Sequence, residues 1–556
     1  MNLRRVDRRH VLAALAVLTA FGLLARFAVL GGRVFHWDEA RVGYWTLRYL
    51  ETGVWEYRPI VHGPVLFHVN AFLFETVGTS DAIARSVVAL VGGLLPLSAY
   101  LFRSRLSNSE VILFGLILAV EPVLLYYGRF MRNDVLAAGF ALVALGFLLR
   151  FIDTRHEWNL YAAVPGLVLA LGTKEIALVY VGVWLGALLL LLDHRLFVAR
   201  EEGTTWLAVT EPLAKRLIRG LKGYRWPITF ALAEFLLLVV LLFAPRPELY
   251  QALAAPGKLP GVVHAATVES ARALFGQWIA GGHEHSYVAF LGEALLTTAT
   301  VSLPLVFFAV FGFLADRYTG DRPRDLVSFA FYTGITIYLL YPAITDISAP
   351  WSLVHAFVPL AIPAAVGLRI SLDWGLDAWD TEDWIGIALV AIVLLSVVGQ
   401  VGFTAYDTSY RAPQDDDNPL VQYGQPAGDL RPTLMDIDAV AQSNTGTDVV
   451  FYGDHFAVTD ESVADQYPAN SNWLNRLPLA WYLERSGATT ASATSPNGLP
   501  ENPPVVIARV EHYGELADHL EGYESRTYEL TSHGTETVVF LDPSALDNPR
   551  TWSFRS

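Results

Sequence analysis

The chain has 556 residues, 53% of them hydrophobic and only 17% charged, with a formal net charge of −15. A chain this apolar and this long is not an ordinary soluble protein. With no cysteine it has neither a disulfide framework nor a thiolate metal site. The charge is uneven: residues 403–556 carry 23 acidic and 8 basic side chains, whereas residues 1–402 balance at 31 against 31. Basic residues are nearly all arginine, the lysines being Lys174, Lys215, Lys222 and Lys258. An acid-rich, lysine-poor surface fits adaptation to high salt, where charge repulsion is screened; a codon bias toward arginine is the alternative. No nucleic-acid partner is expected.

In chain order, the basic start MNLRRVDRRH precedes an apolar run over 11–30. It lacks a clean small-residue cleavage pattern and reads as an uncleaved first span. Segments long enough to cross a bilayer recur near 82–102, 110–127, 134–152, 158–172, 176–192, 227–244, 288–314, 326–342, 352–370 and 384–402. The expected fold class is thus a polytopic α-helical membrane protein of about 11 transmembrane helices. Arginine and lysine collect in alternate short loops, from Arg4 and Arg5 through Arg103, Arg150 and the 193–226 loop to Arg324. That bias predicts a cytoplasmic N-terminus and, with an odd span count, an external C-terminus. Loops 33–81 and 245–287 are then external.

The first external loop is read as the reaction centre. It is rich in interfacial aromatics (Trp37, Tyr44, Trp45, Tyr49, Trp55, Tyr57, Phe67) and holds an adjacent carboxylate pair, Asp38–Glu39, with His36, His62 and His68. Acids and bases pinned at an interface can act on a molecule whose tail lies in lipid and whose head lies in water. The 245–287 loop has a helical apolar period near 262–280, consistent with a surface-lying segment, and ends in His283–Glu284–His285, a weak metal-ligand pattern. After a polar linker over 403–425, residues 426–556 alternate apparent strands (TDVVFYGD, PPVVIARV, TVVFLDPS) with apparent helices (LPLAWYLERSG, GELADHLEGY). This predicts a small acidic extracytoplasmic α/β domain, suited to recognition or covering rather than chemistry.

Six places carry candidate chemistry, because charged groups at membrane depth are functional candidates. Asp38 or Glu39 can accept a proton from an attacking group, or be a hydrated loop carboxylate. Arg129, Arg132 and Asp134, on a short external turn, can hold a lipid phosphate or snorkel to headgroups. Glu121, before Pro122, can satisfy backbone groups freed by the proline. Lys174–Glu175 is a phosphate contact or an internal ion pair. His62, in HGP, can position substrate. Trp351 and His355, in TDISAPWSLVHAFVPL, line a lipid-tail groove or simply pack.

Together these residues resemble the integral-membrane glycosyltransferases of the C-type fold, close to protein O-mannosyltransferases and to the aminoarabinose transferases that modify lipid A. Asp38–Glu39 matches that family's acidic first-loop motif, and His62–Pro64 its later proline motif. GTSDAIAR at 78–85 matches the pattern ending in an arginine, Arg85. Arg129 to Asp134, Lys174 and Pro350–Trp351 match in order; Ser348–Ala349 stands where the family often has lysine. The chain looks most like a haloarchaeal subgroup linked to S-layer N-glycosylation, some members of which are associated with flipping of dolichyl-phosphate-linked sugar. The resemblance implies a polyprenyl (dolichyl) phosphate-sugar donor, inversion at the sugar, and an external glycoprotein or lipid-linked acceptor. It implies Asp38 as base, Arg129, Arg132 and Lys174 on the leaving phosphate, and His62, Arg85, Asp134 and Trp351 around the substrate, to which the residue reading adds His355. The carboxylate pair can hold a divalent cation, though the family is mixed on this. A non-enzymatic flipping factor is the alternative function.

Overall fold

Within lipid a backbone must close its own hydrogen bonds, so apolar segments cross as helices. The computed structural model describes residues 7–546 apart from 60–62, 176, 202, 204, 281–284, 320–322, 346, 427–428, 463–470 and 532–533. All eleven expected segments are helical, but not all are single membrane-length helices. Among the described residues, seven are long and apolar enough to cross a membrane: Arg8–Phe27, Asp81–Phe102, Asp134–Thr154, Arg225–Phe243, Asp325–Ile344, Pro350–Asp380 and Trp384–Arg411. The pair Tyr287–Val301 and Leu303–Tyr318, bent by 96°, makes an eighth if it is one span. The segment expected over 110–127 is two helices, Asn108–Val120 and Pro122–Tyr127. Proline has no N–H for the ladder. Glu121 caps the second piece, its carboxylate accepting from Leu124 N at 2.7 Å and from the Ser302 hydroxyl.

The fold contains two compact units. The first comprises Met1–Val29, Val54–Leu66 and Arg85–Ala412. Small residues admit a buried cation there. The Arg26 guanidinium donates to the carbonyls of Gly22, Leu118, Ala119 and Leu124. A Cβ on Gly92 or Gly128 would stand 2.8 or 2.7 Å from its Nε. The sequence reading had passed over this arginine inside the first apolar run.

The second unit comprises Leu30–Gly53, Phe67–Ala84 and Pro413–Ser556. Parts of the 33–81 loop, expected within 1–402, are grouped here with the tail. Nor is that loop irregular, since it contains helices Trp37–Thr52 and Pro64–Val77. The linker also starts later than 403, because Trp384–Tyr406 continues into a π turn over Asp407–Arg411. In the tail, β1 (Val449–Tyr452), β2 (Thr490–Ala493), β3 (Val505–Arg509), β4 (Glu524–Glu529) and β5 (Glu536–Leu541) form one sheet in the order β2-β1-β3-β5-β4. β1 pairs in parallel with β2 and β3, while β5 is antiparallel to β3 and β4. The three expected strands are β1, β3 and β5. β2 and β4 escaped notice because they are polar and partly exposed (TASA, ESRTYE). Val450, Tyr452, Val506, Ala508, Leu516, Val538 and Phe540 build the core.

Candidate functional site

In the first unit, three helix termini deliver charge to one buried place. Asp134 opens the helix Asp134–Thr154, and Lys174 closes Glu157–Thr173. His355 lies one turn into Leu353–Asp380, behind the turn Pro350–Ser352 that carries Trp351. The Lys174 ammonium lies 2.5 Å from Asp134 Oδ1, which also accepts from His355 Nε2 at 3.0 Å. Arg132 Nε lies 3.5 Å from Asp134 Oδ2. The indole of Trp351 faces both cations, Lys174 Nζ at 3.6 Å and the Arg132 guanidinium carbon at 4.8 Å from the ring centre. All five side chains are buried.

A second layer fixes the imidazole. Tyr180 OH is 2.6 Å from His355 Nδ1, and Tyr341 stacks on the ring at 5.1 Å and 15°. Asp134 accepts, so a neutral ring donates from Nε2 and takes the Tyr180 proton at Nδ1. Two buried donors beside this layer, Trp351 Nε1 and the Tyr341 hydroxyl, have no hydrogen-bond partner among the described residues. Such groups cost about 1–3 kcal/mol each, which an oxygen-rich ligand would recover. Sequence reasoning had missed both tyrosines; a hydroxyl inside an apolar span was the available signal.

The neighbouring Glu175 accepts from Tyr57 OH at 2.8 Å. Burial pushes its carboxyl up, against its own backbone N–H, Tyr57 and Lys174, which favour the ion. The HGP motif packs here too: Gly63 N donates to Thr173 O at 2.8 Å. A Cβ on Gly63 would stand 2.2 Å from Gly172 O, so only glycine permits this approach. His62 itself lies outside the described residues. Arg85 is buried. Arg129 has a different place from the one expected. It caps the end of Arg8–Phe27, donating to the carbonyls of Ala25, Arg26, Ala28 and Val29, with Tyr410 under its guanidinium. Carbonyls without intrahelical partners at a helix end attract such a cation.

In the second unit, Asp38 and Glu39 differ in role despite their adjacency. His36 caps the helix Trp37–Thr52, its Nδ1 accepting from Asp38 N at 3.0 Å. Glu39 reaches back to His36 N at 3.0 Å and pairs with Arg33 at 3.2 Å. Glu39 is therefore a capping-box residue, while the Asp38 carboxylate lies in the first turn outside that box, 3.7 Å from His36 Nδ1. His68 meets Tyr49 edge-on, a packing contact. The tail grips this segment. Phe35 N donates to Tyr482 OH at 2.9 Å, Phe35 stacks on Trp481 at 5.0 Å, and Trp37 Nε1 donates to Leu474 O at 3.0 Å. Asp81, from GTSDAIAR, accepts from Trp481 Nε1 at 3.1 Å, Tyr482 OH at 2.9 Å and Arg485 Nη1 at 3.0 Å.

Among the described residues no three carboxylate or imidazole side chains converge as metal ligands. Glu39 already accepts from His36 N and from Arg33 through one oxygen, Oε2. Of the expected His283–Glu284–His285 ligands, the first two lie outside the described residues, and His285 Nε2 bonds the Pro342 carbonyl at 3.0 Å.

Solved structures with this architecture exist. ArnT from Cupriavidus metallidurans in the apo state superposes at a TM-score of 0.55 and 17% identity, covering 97% of this chain and 99% of that one. The same protein bound to undecaprenyl phosphate gives 0.53 and 17%, covering 96% and 99%. The fold is that of the C-type membrane glycosyltransferases. The Archaeoglobus fulgidus oligosaccharyltransferase also matches, at 0.48 and 14%, over 95% of this chain and 73% of that one. Residues 61–210 match the sequence model of the Dolichyl-phosphate-mannose-protein mannosyltransferase family, a stretch that holds Arg85, Arg132, Asp134 and Lys174. Residues 430–542 match the Agl23 flippase-associated protein C-terminal domain. No curated protein matches the chain by sequence. With its C-type fold and its apolar helices, the chain is a multi-pass membrane protein.

Proposed function

We propose that the protein transfers a sugar from a polyprenyl (dolichyl) phosphate donor to an extracytoplasmic acceptor, a glycoprotein or a lipid-linked glycan. One observation carries the reading: a buried Arg132–Asp134–Lys174–His355 cluster under Trp351, of which Arg132, Asp134 and Lys174 lie in the stretch that matches the mannosyltransferase model. Lys174 and Arg132 offer the charge-assisted contacts a phosphate takes. Trp351 Nε1 and the Tyr341 hydroxyl offer two further donors, and the fold has been solved with a polyprenyl phosphate in ArnT.

Asp38 is assigned as the base. The acceptor oxygen attacks the anomeric carbon and its proton passes to the Asp38 carboxylate. The bond from that carbon to the phosphate oxygen breaks with inversion, and the electron pair stays on a phosphate held by Lys174 and Arg132. Arg85, His62 and His355 are assigned to substrate positioning, with Asp134 orienting Lys174. Arg129 leaves this set, because its guanidinium serves a helix end. The N-terminus is assigned to the cytoplasm and the tail to the outside, from the arginine bias.

The test is sugar transfer by the purified full chain with a dolichyl-phosphate sugar. General-base loss typically lowers rates by about 10²–10⁴, so Asp38→Asn should fall by that factor with donor binding nearly intact. Lys174→Ala should weaken donor binding as well as turnover. Asp38→Asn acting near the wild-type rate removes Asp38 as the base.

The second reading, a factor for flipping of dolichyl-phosphate-linked sugar, is favoured by the match of 430–542 to a flippase-associated domain. It takes the lead if the wild-type chain fails to transfer while its deletion leaves lipid-linked sugar accumulating on the cytoplasmic leaflet.

A further inference from the structure

The helix Trp206–Gly223 has no buried residue, and no function has been assigned to it above. At 100° per residue its side chains sort into two arcs, with Leu207 and Ile218 at one boundary and Arg216 at the other. Trp206, Val209, Leu213, Leu217 and Leu221 fall on one arc. Lys215, Arg219 and Lys222 fall on the other with Glu211, and Arg216 lies on its flank. The apolar arc is open: Trp206 is 65% exposed, Leu217 63% and Leu221 52%. On the polar arc only Glu211 is acidic, and it pairs with Lys215 at 2.5 Å. In a chain of net charge −15 this is a concentrated positive face.

Chain continuity decides where this helix stands. Only Tyr224 separates Gly223 from the membrane-length helix Arg225–Phe243. The C-terminal end is therefore held at the edge of the hydrocarbon. A helix at that level, with an open apolar stripe, a tryptophan and a cationic reverse face, has the character of an interfacial helix. We propose that Trp206–Gly223 lies in the bilayer surface as an anionic-phospholipid-binding element. Its apolar arc enters the acyl boundary, and Lys215, Arg216, Arg219 and Lys222 take headgroup phosphates. Each basic residue near an anionic surface contributes about a fivefold preference for it, so four together give selectivity for anionic over zwitterionic lipid. The proposal is independent of sugar transfer.

The absence of native cysteine makes the test clean. A spin label is placed on the full chain in nanodiscs, at Leu217→Cys on the apolar arc or at Ala208→Cys on the opposite arc. Collision with oxygen and with a water-soluble nickel chelate is measured in phosphatidylglycerol/phosphatidylcholine discs and in phosphatidylcholine alone. At 217 oxygen access should exceed nickel access severalfold, with the order reversed at 208. Nickel access at 217 should rise severalfold in phosphatidylcholine alone, and an Arg216→Gln, Arg219→Gln, Lys222→Gln variant should show the same rise in mixed discs. Equal nickel access at 217 and 208 places the helix in water and overturns the proposal. Shielding of 217 from both reagents means a covering protein surface and does the same. Insertion that ignores lipid charge overturns the anionic recognition.

Discussion

Two carboxylate sites in this molecule show opposite logic. Asp38 and Glu39 are neighbours in sequence, yet the local helix start divides their carboxylates: that of Glu39 closes a capping box, whereas Asp38 joins the cap only through its backbone N–H. Asp134 has no acidic neighbour in sequence, but it gathers Lys174 from 40 residues away and His355 from 221 residues away. Adjacency along the chain did not make a joint site, whereas convergence of three helix termini did. The reason is geometric. Successive residues on a helix point 100° apart, while helix ends from distant segments can aim their side chains at one point.

The sharpest way to break this comparison is Asp134→Ala. It removes the carboxylate among buried cations, and breaking such a pair costs about 3–5 kcal/mol. The unfolding midpoint of the detergent-solubilised chain should fall accordingly. A loss under about 1 kcal/mol would mean that the cluster is held by something other than its central anion.

Asp81→Ala probes the tail's grip on the first loop. Trp481 Nε1 and Tyr482 OH would lose their acceptor, at about 1–3 kcal/mol for a buried donor left alone. Proteolysis within the tail should quicken, and Asp81→Asn should restore part of the protection. Unchanged proteolysis would show that the Phe35–Trp481 stack is sufficient.

Glu39→Ala should cost about 0.5–2 kcal/mol for the lost helix cap, plus the loss of a buried partner for Arg33, and transfer should decline only as far as stability does. A loss of turnover by orders of magnitude with stability intact would return Glu39 to the chemistry and erase the contrast with Asp38.

The smallest effect is a pH dependence in the tail. Burial disfavours the Glu461 anion, but hydrogen bonds from Arg476, Ser492 and Thr490 outweigh it and hold the carboxyl below its usual range. The folded value is depressed, so the stabilisation is present above the unfolded value, about 4.3, and is lost as pH falls through the folded one. The stability gap between wild type and Glu461→Gln should be flat from neutrality to about pH 5 and narrow below about pH 4. A gap that persists unchanged in acid would assign it to packing.

The sequence by itself determined what depends on local composition. Apolar runs became helices because lipid leaves a backbone no other partner. Val-rich β1, β3 and β5 were legible for the same local reason, and the acid of the tail was plain from counting. Lys174 and Arg132 stood out because a cation at membrane depth is costly unless it is used. Only the tertiary structure decided how those residues are employed. It turned Arg129 into the cap of a helix end, put Tyr180 and Tyr341 around His355, and joined Asp81 to Trp481 and Tyr482 across 400 residues of chain. These pairings carry no periodicity and no fixed spacing. They arise when desolvated polar groups, brought together by helix packing and the tail's own core, must find partners or pay the full desolvation penalty.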